Sequence, residues 1–324
     1  MRCLKNFTLI IALALTCSDC RAQLPEAGDL PGYLQDISVT VKASRGEGSG
    51  VAFCRDGVTY IWTAAHVVDD LRSTRSVTDP VTGTSRRVIE FRDASIVKQL
   101  RENGRIVGRT EMDAEVIRYS NADTGHDLAL LRVRKTGFLK TSCVFAESGL
   151  VPLGEDLVHV GSLLGQMGAN SMTKGIMSQH GRLIGKTVYD QTTVTAFPGS
   201  SGGGVFTESG RYVGMLVRGA GEGFNLIVPA RRLRDWASSA GVLWAVNPDV
   251  PIPDDIDEMP VEDIGKGWKS LSDESAEKQF PFLLKIIKDR ELPFSCCDEA
   301  CQCGCLLTND CRCRREHLFR TIGD

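Results

Sequence analysis

At 324 residues, with 42% hydrophobic and 24% charged side chains, the chain has the composition of a soluble globular protein. It is long enough for one large domain or two modest ones. Its formal net charge of −3 gives no electrostatic basis for a nucleic-acid partner.

The N-terminus, MRCLKNFTLIIALALTCSDCRAQ, places Arg2 and Lys5 before an apolar run from Phe7 to Cys17, with small residues near Ala22. Basic start, short apolar stretch and small-residue site are the layout of a secretory signal peptide over 1–22. The apolar run is well short of the roughly 20 residues that span a bilayer, and no later segment is long and apolar enough to do so. The mature protein is therefore expected to be exported, without a transmembrane span.

From about Gln35 to Val246 the chain is dense in short strand-like runs separated by turn signals: DISVTVKA, SGVAFC, VTYIWTAA, AEVIRYS, DLALLRV, LVHVGSLL, TVYDQTTVTAF, GGVFTE, YVGMLV and FNLIVP. Short strands at this spacing predict an all-β barrel or sandwich rather than alternating βα units. Two stretches read as helices. One is ASIVKQLRENG (94–104); the other is PARRLRDWASSAG, with Pro229 suited to its start and Gly241 to its end. Between Pro248 and Asp263 stand four prolines and seven acids with no Lys or Arg, which predicts an extended acidic linker over 247–265. A short amphipathic helix and a cysteine-rich tail complete the chain over 266–324.

Of 12 cysteines, removal of Cys3, Cys17 and Cys20 with the signal leaves nine. Cys296, Cys297, Cys301, Cys303, Cys305, Cys311 and Cys313 cluster in the tail; Cys54 and Cys143 are isolated. Export favours disulfides across this cluster, whereas the CxC pairs resemble thiolate clamps for Zn²⁺. Attachment to a lipid or to another chain is a third reading. The odd number leaves at least one thiol outside an intramolecular disulfide.

Three motifs carry chemistry. IWTAAHVVDD places His66 after an apolar strand, GHDLALLRV places Asp127 at the mouth of another, and FPGSSGGGVF (197–206) places Ser201 among glycines. A serine hydroxyl needs a base to become a nucleophile, and the base needs a carboxylate to fix its tautomer. Each motif alone is weak; in the order His, Asp, Ser on a β-rich chain they point to one reaction centre. His126, His159 and His180 receive no catalytic or metal-binding role.

The stretches GSGVAF, TAAHVV, DLALLRV, TKGIMSQHGR and PGSSGGGVF…VGML resemble the landmarks of trypsin-like serine proteases of chymotrypsin fold, nearest to the HtrA/Deg-type branch. The resemblance covers about residues 35–243. It implies two antiparallel six-stranded β-barrels with a C-terminal helix, a protease domain over 23–246, and a site in the cleft between barrels. It further implies Ser201 as nucleophile, His66 as general base and acid, Asp127 as orienting carboxylate, and the N–H groups of Gly199 and Ser201 as the oxyanion hole. The specificity pocket is expected around Thr195, Leu216, Val217, Arg218 and Gly219, with Thr195 standing where a Lys/Arg-directed enzyme would hold an acid. The pattern departs from the family in three places, one of them Gly204, which replaces the proline common in relatives. Ser200 precedes the nucleophile where proteases activated by N-terminal trimming carry an aspartate. The C-terminal 80 or so residues lack the glycine-led carboxylate-binding loop of a PDZ domain. The implied activity is peptide-bond hydrolysis on protein or peptide substrates, with no cofactor for catalysis. The competing reading is a catalytically idle protease-like binding protein whose tail binds metal or anchors it.

Overall fold

A computed structural model of the chain describes residues 24–25, 29–78, 80–147, 150–184, 187–219, 223–256 and 259–265. The expected signal segment, the second short helix and all seven tail cysteines lie outside the described residues.

A short helix, α1 (Leu30–Asp36), leads into β1 (Ser38–Lys42), β2 (Glu47–Arg55) and β3 (Val58–Thr63), and the single turn α2 (Ala65–Val68) follows. An outlying hairpin, β4 (Arg72–Thr78) with β5 (Ser85–Phe91), precedes β6 (Ala94–Glu102), β7 (Arg105–Ser120) and β8 (Leu128–Val133). The strands β1, β2, β3, β8, β7 and β6 bond in that order, all antiparallel, and close through β1–β6 into a barrel. Period-2 alternation sends Val39, Val41, Ala52, Ile61, Ile96 and Leu131 into one core.

The remaining strands are β9 (Val144–Phe145), β10 (Asp156–Leu163), β11 (Gly168–Ile184), β12 (Thr187–Thr192), β13 (Gly204–Thr207), β14 (Arg211–Gly219) and β15 (Asn225–Pro229). They form one sheet in the order β13-β10-β11-β12-β15-β14-β9, and an additional β13–β14 pairing closes six of them into a ring. The two-residue β9 adds to β14 in parallel as a seventh member. A second core of Leu157, Met177, Val194, Val205, Val213, Leu216 and Ile227 fills this sheet. A third contains Val51, Phe53, Tyr60 and Trp62 from the first barrel with Val158, Phe206, Met215 and Val228 from the second. Strands with both faces buried, such as β3, join the two halves.

The helix expected after Pro229 is α3 (Ala230–Ser239), with Pro229 as its N-cap and Gly241 at φ +69° just beyond its end. Trp236 of α3 meets Trp62 edge-on at 5.9 Å. The helix is also pinned by charge. Asp190 on β12 is buried and accepts two 2.6 Å hydrogen bonds from the Arg231 guanidinium, one from the Gly181 amide at 3.0 Å and one from His180 at 3.0 Å. Burial alone would raise its pKa, but Arg231 and His180 lower it from 3.8 to about 2. The ionised pair therefore stabilises the fold fully above pH 3.8, and that contribution is lost as pH falls through about 2. Asp190→Ala is expected to cost about 3 kcal/mol, since it strands a partly buried guanidinium, read as a lower urea midpoint at neutral pH.

Two expectations are corrected. Residues 94–104, read as a helix, form β6 and the turn beyond it. Asn103 and Gly104, at φ +50° and +74°, make the two-residue turn to β7. An Asn-Gly pair with both φ positive matches the twist of a hairpin, and the pairing of β6 with β1 and β7 overrides its helical propensity. The acidic stretch read as an extended linker instead packs on the domain. Ile256 is buried, and Ile252, Met259 and Ile264 lie against the core. Arg55 donates to the carbonyls of Trp244, Asn247 and Val250, and the Asp263 carboxylate accepts the Asn121 amide at 2.9 Å. Apolar residues spaced between the acids let one edge of the segment bury while Asp249, Asp254, Asp255 and Glu262 stay exposed.

Candidate active site

His66 lies on α2, directly after β3. The preceding Ala64 and Ala65 are fully buried, and their small side chains allow the turn to press against its neighbours. The His66 side chain keeps 38% of its surface exposed, whereas Asp127 keeps 1%. Nδ1 of His66 lies 2.9 Å from Asp127 Oδ2 and 3.0 Å from Oδ1, and the His66 amide donates to Oδ1 at 3.1 Å. Asp127 sits at φ +57°, a left-handed conformation that Asp and Asn tolerate better than most residues. The turn that sets it is held by Gly125 N–H on Asn121 O and His126 N–H on Ser120 Oγ. Burial alone would raise the Asp127 carboxyl, yet the charge and hydrogen bonds of His66 hold it below the ordinary carboxylate range. Burial likewise lowers His66, but Asp127 overcomes this and lifts it above its ordinary 6.5.

The loop 197–203 packs against the segment that leads into the His66 turn. Gly202 lies at φ +87°, and a Cβ there would come within 2.1 Å of Ser49 O and 3.0 Å of the Ala64 nitrogen, two residues from His66. Gly199 lies at φ +94°, where a Cβ would meet Ser162 O at 2.2 Å. Only glycine fits either position. Gly202 N–H donates to Leu216 O and Leu216 N–H to Gly203 O, which ties the loop to β14. Ser200 and Ser201 part company here. Ser200 is buried and its Oγ accepts the Phe197 amide at 3.2 Å, while Ser201 is half-buried. Among the described residues the Ser201 hydroxyl has no hydrogen bond to His66; such contacts commonly tighten only with substrate bound. The N–H groups of Gly199 and Ser201 find no acceptor among the described residues either.

The residues expected around the specificity pocket separate. Leu216 and Val217 are both buried, in different cores, because alternation along β14 sends neighbours to opposite faces and both faces are covered. Thr195 and Gly219 are exposed and Arg218 is half-buried. Arg218 donates to Ala122 O at 3.2 Å, lies over the Tyr189 ring, and has no carboxylate at ion-pair distance among the described residues. Its charge acts on both His66 and Asp127, lowering the pKa of each. Sequence reading missed Asn225, a buried amide on β15 that donates to Val194 O at 2.6 Å and faces Gly219. Nothing in its local sequence marks it, since only the strand pairing brings it there.

His126, His159 and His180 serve structure. Arg232 donates to His126 through Nδ1 and the backbone carbonyl, and burial with that charge pushes His126 down to about 3. His159 is buried beneath the loop with Nδ1 2.9 Å from Gly204 O, and burial pushes it down to about 4. Cys143 is a buried free thiol whose pKa burial pushes up. Among the described residues no cluster of three or more His, Cys, Asp or Glu is placed to hold a metal, and no helix is long and apolar enough to cross a membrane.

The trypsin-like peptidase domain family matches residues 48–215, just over half of the chain. The serine protease Do-like HtrA of Lactococcus lactis subsp. cremoris is 32% identical over 117 residues, 33% of this chain and 28% of that protein. A probable periplasmic serine endoprotease DegP-like of Bartonella henselae is 29% identical over 211 residues, 60% of this chain and 34% of the relative. The chain thus spans about a third of the length of these curated relatives. The crystal structure of the serine endoprotease from Yersinia pestis aligns with a TM-score of 0.47 at 19% identity, covering 68% of each chain. With the family match extending from the first barrel through the glycine loop 197–203 into β14, the chain belongs to the trypsin-like peptidase domain family.

Proposed function

We propose that the protein is an exported serine endopeptidase in which Ser201 attacks the peptide carbonyl and forms an acyl-enzyme. The observation that carries this reading is the buried Asp127 carboxylate at 2.9 Å from His66 Nδ1, together with a glycine loop in which the N–H groups of Gly199 and Ser201 have no acceptor among the described residues. Asp127 holds the proton on Nδ1, so Nε2 faces the cleft with a free lone pair. It takes the Ser201 proton as Oγ bonds to the carbonyl carbon, and the Gly199 and Ser201 N–H groups receive the developing oxyanion. Collapse expels the amine, which takes the proton from His66. Water then attacks the acyl-enzyme, with His66 as base, to release the acid and restore Ser201. All these steps use protein groups; the tail cysteines, whether joined by disulfides or bound to Zn²⁺, take no part. Export is supported by the N-terminal segment and by relatives named as periplasmic.

The catalytic form has His66 neutral, so kcat/KM is expected to rise with pH through a single ionisation above the ordinary 6.5. Hydrolysis of a labelled unfolded protein from pH 5 to 9 checks this, and a profile flat down to pH 5 contradicts the role of His66. Arg218 lowers the His66 pKa, so Arg218→Gln should move the acid limb to higher pH. As a half-buried cation with no carboxylate at ion-pair distance among the described residues, Arg218 also favours peptides with an acidic side chain near the scissile bond. Matched Glu and Gln peptides should differ for the wild type and converge for the variant.

A further inference from the structure

The geometry points to Ser49 as a positioning residue for the oxyanion hole, acting from the first barrel on the loop that carries Gly199 and Ser201. This rests on the serine-peptidase reading.

The four peptide groups around the nucleophile are each fixed by a hydrogen bond. Pro198 O accepts Leu164 N–H at 2.7 Å, Gly199 O accepts Ser49 Oγ at 2.7 Å, Ser200 O accepts Gly203 N–H at 3.0 Å, and Ser201 O accepts Ser49 N–H at 2.7 Å. A trans peptide is planar, with C=O and N–H pointing in opposite directions. Tying down Pro198 O and Ser200 O therefore aims the N–H groups of Gly199 and Ser201 the other way, where they remain unbonded. Ser49 supplies two of the four anchors, one through its backbone and one through its hydroxyl.

That hydroxyl is fully committed. Ser49 is completely buried on β2; its Oγ donates to Gly199 O and accepts Ser162 N–H from β10 at 2.7 Å. The Ser162 hydroxyl is held in turn by Thr40 Oγ1 at 2.6 Å. One side chain of the first barrel thus joins two segments of the second. Alanine at position 49 would keep the Ser201 anchor but leave Gly199 O and Ser162 N–H without a partner in a buried site, and such groups seek new partners by moving. The Gly199–Ser200 peptide then keeps only the Ser200 N–H bond to Phe197 O at 2.9 Å. It links the two peptides that carry the Gly199 and Ser201 N–H groups, so its rotation misaims both donors, while the His66–Asp127 pair is untouched.

The test compares wild type, Ser49→Ala and Ser49→Cys in the full chain. It measures kcat and KM on a peptide substrate, affinity for a peptidyl boronate whose tetrahedral adduct occupies the hole, and the pH–rate profile. Loss of one oxyanion donor costs about 100- to 1,000-fold in kcat; misplacement of a donor should cost part of that, about 10- to 100-fold. Ser49→Ala is expected to lose that factor in kcat and a similar factor in boronate affinity, with KM within about twofold and the acid limb unmoved. Ser49→Cys keeps nearly the same volume with a weaker donor, so an intermediate loss is expected; it decides the matter if the alanine variant does not fold. Folded variants with wild-type kcat and boronate affinity would overturn the proposal, as would a rise in KM alone. A folded wild type that neither hydrolyses peptide nor binds the boronate would overturn the peptidase reading itself.

Discussion

Ser201→Ala is expected to lower kcat about a million-fold, the scale set by removing the nucleophile from a Ser-His-Asp unit, with a residue of rate from the oxyanion donors and binding. Stability should barely change. The Ser201 side chain has no hydrogen bond among the described residues, and neither the bond from Ser49 N–H to its carbonyl nor those of Gly202 and Gly203 to β14 involve Oγ. A substitution of this kind stays within about 0.5 kcal/mol, or about 2 °C for a domain of this size. Kinetics and a melting curve on the same preparation check both halves. The pairing matters because a loss of rate with a loss of fold would say nothing about chemistry.

Asp127→Asn is expected to lower kcat about 10,000-fold at neutral pH, although it changes a single atom type. Asparagine tolerates the left-handed conformation that Asp127 adopts at φ +57°, so the turn should persist. An amide can still accept the His66 N–H through its oxygen, but its NH₂ then faces Nδ1. That drives the ring proton to Nε2, where it blocks transfer from Ser201. The pH dependence carries a second signature. With the Asp127 charge gone, burial and Arg218 both act to lower the His66 pKa, so the acid limb should shift down as the rate falls. Ring-proton NMR of His66 would read that shift independently of turnover.

The sequence makes the candidate reacting groups legible because each sits in a local setting that limits its alternatives. Ser201 and Ser200 are distinguished by their place among glycines, and the structure gives a physical reason: Ser200 Oγ is spent on the Phe197 amide. His66 follows two alanines at the end of an apolar strand, where only a tight turn fits. The β-rich architecture and α3 are equally visible from alternation and from the Pro229 to Gly241 punctuation. What could not be read depends on tertiary pairing. The pattern ASIVKQLRE has enough helix formers to read as a helix, and only its neighbours β1 and β7 make it a strand. Leu216 and Val217 look like pocket walls by position, but the covering of both faces of β14 buries them. Ser49 gives no local signal for this role, since the partners of its hydroxyl and its amide, Ser162, Gly199 and Ser201, lie more than 100 residues away. The acidic segment after Pro248 reads as extended because its charge is evident, whereas the packing of buried Ile256 and half-buried Ile264 shows only against the domain.

The most direct test of the central claim is to treat the purified protein with a fluorophosphonate and measure its intact mass, beside the Ser201→Ala variant. This chemistry needs an activated serine together with donors for the phosphoryl oxygen, and it requires no knowledge of the natural substrate. The account predicts a single adduct on the wild type, mapped to Ser201, and none on the variant. A well-folded wild type that takes up no label, or a Ser201→Ala variant that is labelled equally, would contradict it.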